Sequence, residues 1–357
     1  MSNSYNDLVA KANFATRAYH MGLPVMEDSE YDAIILEIKR LEEITKIIAS
    51  DSPSTRVGIK ENNFSIKRKS KMLSLCPFYK KHDIISFILA QNDHNLSVEP
   101  KIDGIAACLI YENGKLISAS TRGDGWEGKD IIRAVNLIDT IPKFISNTNR
   151  LEVHGELFIK RVDFKRISSS QKKSLSNSRN LTASSVRLKN DSEIRNRNLQ
   201  FFAHGIGAND LKELTYSGIL KRLSELSIPV ISHEILTPHS SLSAVMRIEL
   251  EASDFEYDTD GVVVKIDSME ERQRLGDNGV IPLYAAAYKF LGDVKEAKIL
   301  SIDDKTVYIS PVIVNGYKLN KIHKQLIDDH ILSNLKYGIT VNIYLKGGVS
   351  PSILNIN

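Results

Sequence analysis

The sequence predicts an α+β protein in three parts: a helical module, a core of antiparallel sheets with helices, and a closing β-barrel. Three observations predict it. Apolar residues recur at helical spacing through the first fifty or so residues, strand-length runs with hairpin signals begin near residue 70, and the final sixty or so alternate with a period of two. In the first part Leu8, Val9, Ala12, Ala15, Ala18 and Tyr19 share a stripe that Gly22-Leu23-Pro24 breaks. A second helix starts near Asp28-Ser29, where Ser29-x-x-Asp32 fits a capping box, and presents Tyr31, Ile34, Ile35, Ile38 and Leu41. Asp51-Ser52-Pro53-Ser54 ends those helices, and the module is taken as residues 1–65. In the core, 66–295, Ile105 to Tyr111 and Lys115 to Thr121 flank Glu112-Asn113-Gly114, because Asn-Gly supplies the positive φ angles of a tight hairpin turn. Strands are expected at Leu151–Phe158, Leu199–Gly205 and Gly261–Ile266, and helices near Leu214–Leu226 and Leu242–Leu250. The barrel, 296–357, contains Thr306–Val314 and Thr340–Leu345, then Gly347-Gly348 and Ile353-Leu354.

With 357 residues the chain has room for two or three cores, since single cores stop growing at roughly 250–300 residues. Its 42% hydrophobic and 25% charged residues are those of a globular protein. No apolar run reaches the roughly 18 residues that span a membrane, and Met1-Ser2-Asn3-Ser4 is too polar to open a signal peptide. Cys76 and Cys108 exclude a disulfide framework and a four-cysteine zinc site within this chain. The expectation is a cytoplasmic enzyme with no membrane partner. Net charge is only +3, but Arg161 to Arg197 holds ten Lys/Arg against three acids, beside Ser168-Ser169-Ser170, Asn177 and Asn180. Lys60 and Lys67-Arg68-Lys69…Lys71 form a second basic patch. Such mixtures suit a phosphate backbone, and a solvated loop would look the same.

The chemistry centres on Lys101-Ile102-Asp103-Gly104, followed by Thr121-Arg122-Gly123-Asp124-Gly125. A lysine becomes nucleophilic when neighbours lower its pKa or take its proton. Asp103 would share its face if the segment is extended, and Gly104 admits a close backbone approach. Alone, K-x-D-G would occur by chance in roughly one chain in ten of this length. Its companions carry more. Glu152, His154 and Glu156 fall on one face of an expected strand, and Lys265 and Lys289 end apolar strands headed by Asp260-Gly261 and Tyr284-Ala285. Burying a lysine is costly unless an anion meets it, so Lys101, Lys265 and Lys289 with Glu156 and Asp260 suggest a phosphate-and-metal pocket. Each lysine alone would equally suit a strand edge with a solvated head.

In order, K-x-D-G, T-R-G-D-G, L-E-V-x-G-E, S-R-N…R, F-F-A-x-G, D-G-V-V-V-K and A-x-K-F resemble the NAD-dependent DNA ligases, from about residue 5 to the C-terminus. The resemblance implies a nucleotidyltransferase core, an OB-like barrel, and nick sealing with NAD and Mg²⁺. It makes Lys101 the nucleophile that takes AMP from NAD, with Asp103 orienting ribose or organising metal and Glu99 reading the adenine edge. Ser74-Leu75 would lie beside adenine, Arg122 and Glu156 at the sugar, and Arg179 and Arg187 at nucleotide and DNA phosphates. His204 stands in place of an aromatic that stacks on adenine. Asp260, Lys265 and Lys289 would stabilise phosphates, with Glu156 and Asp260 as metal carboxylates. Tyr19-His20 and Asp28-Ser29-Glu30-Tyr31-Asp32 look like the module that binds nicotinamide mononucleotide, where aromatics face a cationic ring and carboxylates offset its charge. A capped helical hairpin would explain Ser29 and Asp32 without a ligand. Asp51-Ser52-Pro53-x-x-Arg56-Val57-Gly58 matches the segment that follows in the family.

Departures also stand out. The stretch between His20 and Asp28 is one residue shorter than usual, Ala252 replaces a typical arginine, and Val280, Leu283 and Tyr284 replace two arginines and a tryptophan. Asp303-Asp304-Lys305-Thr306 replaces a Gly-Arg-Thr-Gly turn of the barrel. The family's zinc, helix-hairpin-helix and terminal recognition modules do not follow. We therefore expect nicked double-stranded DNA as substrate and a second polypeptide to supply clamping modules, unless the chain is a piece of a longer protein. The rival readings are an ATP-dependent ligase or capping-type nucleotidyltransferase, and a non-catalytic subunit that grips nicked DNA.

Overall fold

The computed structural model describes residues 2–20, 28–55, 65–91, 93–147, 149–170, 177–290, 295–314, 317–327, 329–346 and 350–356. The helices are α1 (Ser2–His20), α2 (Asp28–Thr45), α3 (Lys81–Leu89), α4 (Ile132–Asn136), α5 (Arg161–Ser170), α6 (Ser178–Ser185), α7 (Asp191–Asn196), α8 (Tyr216–Glu225), α9 (Pro238–Leu250), α10 (Met269–Leu275) and α11 (Asp329–Leu332). Strands β1 (Ser65–Lys67), β2 (Cys76–Phe78), β3 (Leu96–Ile102), β4 (Ile105–Glu112), β5 (Lys115–Thr121), β6 (Glu127–Lys129), β7 (Leu151–Phe158) and β8 (Gln200–Ile206) come first. They are followed by β9 (Glu234–Leu236), β10 (Thr259–Ile266), β11 (Ala285–Lys289), β12 (Lys295–Ile302), β13 (Thr306–Val314), β14 (Tyr317–His323), β15 (Thr340–Lys346) and β16 (Ser350–Ile356). They form two compact units, one of residues 57–288 and one joining 1–56 to 289–357.

In the larger unit one sheet has the order β2-β11-β10-β3-β9 and a second the order β5-β4-β7-β8. β3 and β4 are consecutive in the chain yet belong to different sheets, and the step between them is Asp103-Gly104. Gly104 is required there, because a Cβ would sit 2.2 Å from the Leu157 carbonyl oxygen. The predicted β4–β5 hairpin turns at Asn113 and Gly114, with φ of 49° and 74°. Alternate residues Ala107, Leu109 and Tyr111 of β4 meet Val153 and Leu157 of β7 and Phe201 of β8 in the main core, and Cys108 and Ile110 on the opposite face are buried with Met72, so β4 is covered on both sides. α8 seals that core with Tyr216, Ile219, Leu220 and Leu223.

In the smaller unit α1 and α2 pack through Tyr5, Val9 and Ala12 against Ile34 and Ile38, the expected stripes. Glu42, buried, accepts hydrogen bonds from the Tyr5 hydroxyl at 2.7 Å and from Ser52 at 2.5 Å, so the Asp-Ser-Pro turn is tied to both helices. The barrel sheet runs β14-β13-β12-β15-β16, all antiparallel and nearly closed, around Ile299, Ile309, Ile322, Ile343 and Ile353. α2 lies against the Lys324–Leu326 turn and β16, so the two ends of the chain share one unit.

Several sequence readings change. The basic stretch 161–197 is built on helices α5, α6 and α7 rather than a loop, with 171–176 outside the described residues. The Gly22-Leu23-Pro24 break also lies outside them, as do the side chains of the Ser29/Asp32 box. β8 starts one residue later than expected, and short β2 and β9 carried no signal because three residues are too few to show a period.

Candidate active site

β3 places Ser97, Glu99 and Lys101 on one face by simple alternation. Opposite them on antiparallel β10 stand Lys265, Val263 and Gly261, so the residue facing Lys101 has no side chain. The ladder then skips: Thr259 pairs with Ile102, and Asp260 is the extra residue of a β-bulge. Bulges re-aim side chains, and here Asp260 Oδ1 lies 2.8 Å from Lys101 Nζ. β3 stops at Ile102, so Asp103 stands in the turn, not in strand alternation with Lys101 as expected. Its amide donates to the Asp258 carbonyl at 2.8 Å, and its carboxylate is 3.4 Å from Arg179 Nη1.

A cleft of about 1060 Å³ is lined by Glu99, Lys101 and Lys265 from the first sheet and Glu156 and His204 from the second, with Tyr216 beside them. Lys265, expected at phosphates, is engaged at the base of the cleft. Its ammonium donates to Glu99 Oε2 at 2.8 Å, the His204 carbonyl at 2.9 Å and the Tyr216 hydroxyl at 2.8 Å, which occupies its three hydrogens. Ser97 donates to the other Glu99 oxygen at 2.9 Å. Burial alone would raise the Glu99 carboxyl, but the Lys265 ammonium prevails and holds it below the usual carboxylate range.

On β7 the predicted shared face of Glu152, His154 and Glu156 has three different fates. Glu152 is fully buried and accepts from the Lys69 amide, the Ser70 hydroxyl and Arg150, a structural knot. His154 lines the cleft, and burial pushes its pKa down to about 3, so it stays neutral. Glu156 Oε2 is 3.8 Å from His204 Nε2 and packs beside Gly104. Arg122 donates to Ser74 at 3.3 Å, and burial lowers its guanidinium pKa while Glu156 opposes. Leu75 lines the cleft, and Arg187, beyond the end of α6, donates to the Ala183 carbonyl at 2.9 Å.

Two residues escaped the sequence reading. Arg68, read as surface charge, is buried and forks into the carbonyls of Thr121, Arg122 and Gly125 and the Ser120 hydroxyl. It therefore clamps the turn that carries Arg122. A lone arginine among exposed lysines gives no sign of this. Arg272 lies between the rings of Tyr216 and Tyr284, at 4.2 and 5.1 Å from their centroids, so Tyr284 serves as a cation platform.

Other predicted residues belong to the smaller unit. Tyr19 and His20 end α1 and Asp28 and Asp32 begin α2, with side chains outside the described residues. The Tyr31 hydroxyl is 2.8 Å from that of Thr16. Lys289 ends β11 and belongs to the smaller unit. Among the described residues no three His, Cys, Asp or Glu side chains cluster as a metal site, and no helix is long and apolar enough to cross a membrane.

A family model for the adenylation domain of NAD-dependent DNA ligases matches residues 61–293, most of the chain and all of this cleft. The chain belongs to the NAD-dependent DNA ligase family. A second model, the N-terminal NAD⁺-binding domain of DNA ligases, matches residues 1–58 of this ligase-family chain. The DNA ligase of Mycoplasmopsis agalactiae is 32% identical to it over 367 residues, covering 95% of this chain and 54% of the relative. That of Buchnera aphidicola is 32% identical over 373 residues, covering 95% and 55%. The chain thus spans about half the length of the curated relatives it matches.

Proposed function

We propose that this chain acts as an NAD-dependent ligase that seals 5′-phosphate/3′-hydroxyl nicks in duplex DNA through a lysyl-AMP intermediate on Lys101. The observation that carries it is the Lys101 amine, partly open to the cleft and held 2.8 Å from Asp260. Lys101 Nζ, relieved of a proton, forms a P–N bond to the α-phosphorus of NAD while the P–O bond to nicotinamide mononucleotide breaks. A DNA 5′-phosphate oxygen then attacks that phosphorus and Lys101 leaves. The 3′-hydroxyl finally attacks the DNA phosphate and AMP departs.

In this reading Asp260 orients the amine and accepts its proton, and Arg122, Arg179 and Arg187 meet phosphate and sugar oxygens. The saturated Glu99–Lys265 pair presents the base-reading wall, and His204 the face beneath the base. Such transfers depend on positioning and charge neutralisation more than on covalent chemistry. Magnesium supplies charge neutralisation when bound. Glu156, beside Gly104, and Asp260, beside Lys101, suit a cation that takes one or two carboxylates plus substrate phosphates. We assign residues 1–65 with Tyr19, His20, Asp28, Tyr31 and Asp32 to nicotinamide mononucleotide, 66–295 with Lys289 to nucleotidyl transfer and 296–357 to an OB-like barrel. A cytoplasmic location follows from this reading.

The test is a duplex with one labelled nick, incubated with the purified chain, Mg²⁺ and either NAD or ATP. Sealed or 5′-adenylated DNA with NAD alone supports the proposal. Product with ATP alone, or none from folded protein, rejects it.

A further inference from the structure

We propose that Arg161 is a positioning residue for the adenylation step: through Asp258 it fixes Asp103 and the first turn of α6, and with them Arg179. The inference rests on the function proposed above and adds residues outside the cleft lining. β7 ends at Phe158 and the chain enters α5 at Arg161, whose amide donates to the Glu256 carbonyl at 2.8 Å. The guanidinium then spreads over the segment leading into β10. Nε donates to Asp258 Oδ1 at 2.8 Å, Nη2 to the Ala252 carbonyl at 3.0 Å and Nη1 to the Ser253 carbonyl at 2.5 Å.

Asp258 is the junction. Its second carboxylate oxygen accepts from the Ser178 hydroxyl at 2.5 Å, and Ser178 opens α6 with only 2% of its surface exposed. Its backbone carbonyl accepts the amide of Asp103. Arg179, the next residue of α6, closes the ring on the Asp103 carboxylate. Asp103 lies in the step between two strands of different sheets, and this ring engages both its amide and its carboxylate. Asp260, the bulged residue, lies two residues after Asp258.

The side-chain link is partly exposed, at 30% for Arg161 and 36% for Asp258, and exposed ion pairs add little to stability. Its loss should therefore appear in rate and not in folding. The backbone bond from Arg161 to Glu256 survives any substitution of the side chain. The guanidinium also holds the carbonyl of Ala252, so the segment before Asp258 is fixed at two further points.

Arg161→Ala, Arg161→Lys, Ser178→Ala, Arg179→Ala and the Arg161→Ala/Arg179→Ala double variant of the full chain test this in single-turnover self-adenylation with NAD. A small displacement of a reacting group costs up to about 10²-fold, so Arg161→Ala should slow the saturating rate by roughly 10- to 100-fold. The half-saturating NAD concentration and thermal midpoint should stay near wild type. Arg161→Lys should recover part of the rate, Ser178→Ala should lose less, and the double variant should be no slower than its slower parent. A wild-type rate for Arg161→Ala, a loss that tracks a fallen melting temperature, or effects that multiply in the double variant would each overturn the assignment. A wild-type chain that is folded, free of prior AMP and takes none from NAD removes the proposed function as well; one that adenylates beside a normal Arg161→Ala removes only this inference.

Discussion

Two lysines on neighbouring strands meet carboxylates at the same 2.8 Å, yet their surroundings give them opposite capacities. Lys101 keeps 21% of its side chain exposed and pairs with Asp260 at the mouth of a bulge; Lys265 keeps 9% and spends every hydrogen on Glu99, His204 and Tyr216. A buried, saturated ammonium cannot attack anything without leaving several acceptors unmet. An amine with one strong partner can. Local saturation, more than the presence of a lysine, separates a reacting group from a recognising one.

The largest effect that would break this comparison comes from Lys101→Ala, which should abolish covalent AMP; because Asp260 is only 10% exposed, removing its cation should also lower thermal stability, though less than at the more deeply buried Lys265. Asp260→Asn keeps the shape but removes the proton acceptor, and the adenylation rate should fall by about 10² to 10⁴-fold. Lys265→Met should act mainly on folding. It strands a buried carboxylate, a change that costs about 3–5 kcal/mol, read by urea denaturation; adding Glu99→Gln should restore most of that loss. The smallest effect is pH dependence. Because Glu99 is held below the usual range in the folded state, its contribution is complete above the unfolded carboxyl value, near about 4.3, and is lost as pH falls through the lower folded value. The difference in melting temperature between wild type and Glu99→Gln should thus be full at neutral pH and shrink in acid. A difference that grows on acidification would contradict the sign.

Much of the site was legible because chemistry and period coincide. Lys101, Asp103 and Gly104 were readable as a reactive turn, the Asn113-Gly114 hairpin named its own geometry, and alternation placed Glu152, His154 and Glu156 on one face. What failed was local counting across strands. No one-dimensional pattern reveals that Asp260 sits in a bulge, since the signal is a missing partner on β3. Nor could it separate Glu152, a buried knot, from Glu156, a cleft carboxylate, because that depends on Lys69, Ser70 and Arg150 arriving from elsewhere. Nor could it show the three acceptors that engage Lys265, because they lie on three different elements. Arg68 and Arg161 were hidden in basic runs whose composition describes a surface, while their guanidinium groups hold loop carbonyls.

The most direct test of the contrast is to incubate the chain with NAD and Mg²⁺, weigh the intact protein, and map the modified peptide, with Lys101→Ala in parallel. The account predicts a gain of one AMP, carried on Lys101 alone and absent from the variant. AMP on Lys265, or a gain that survives Lys101→Ala, would contradict it.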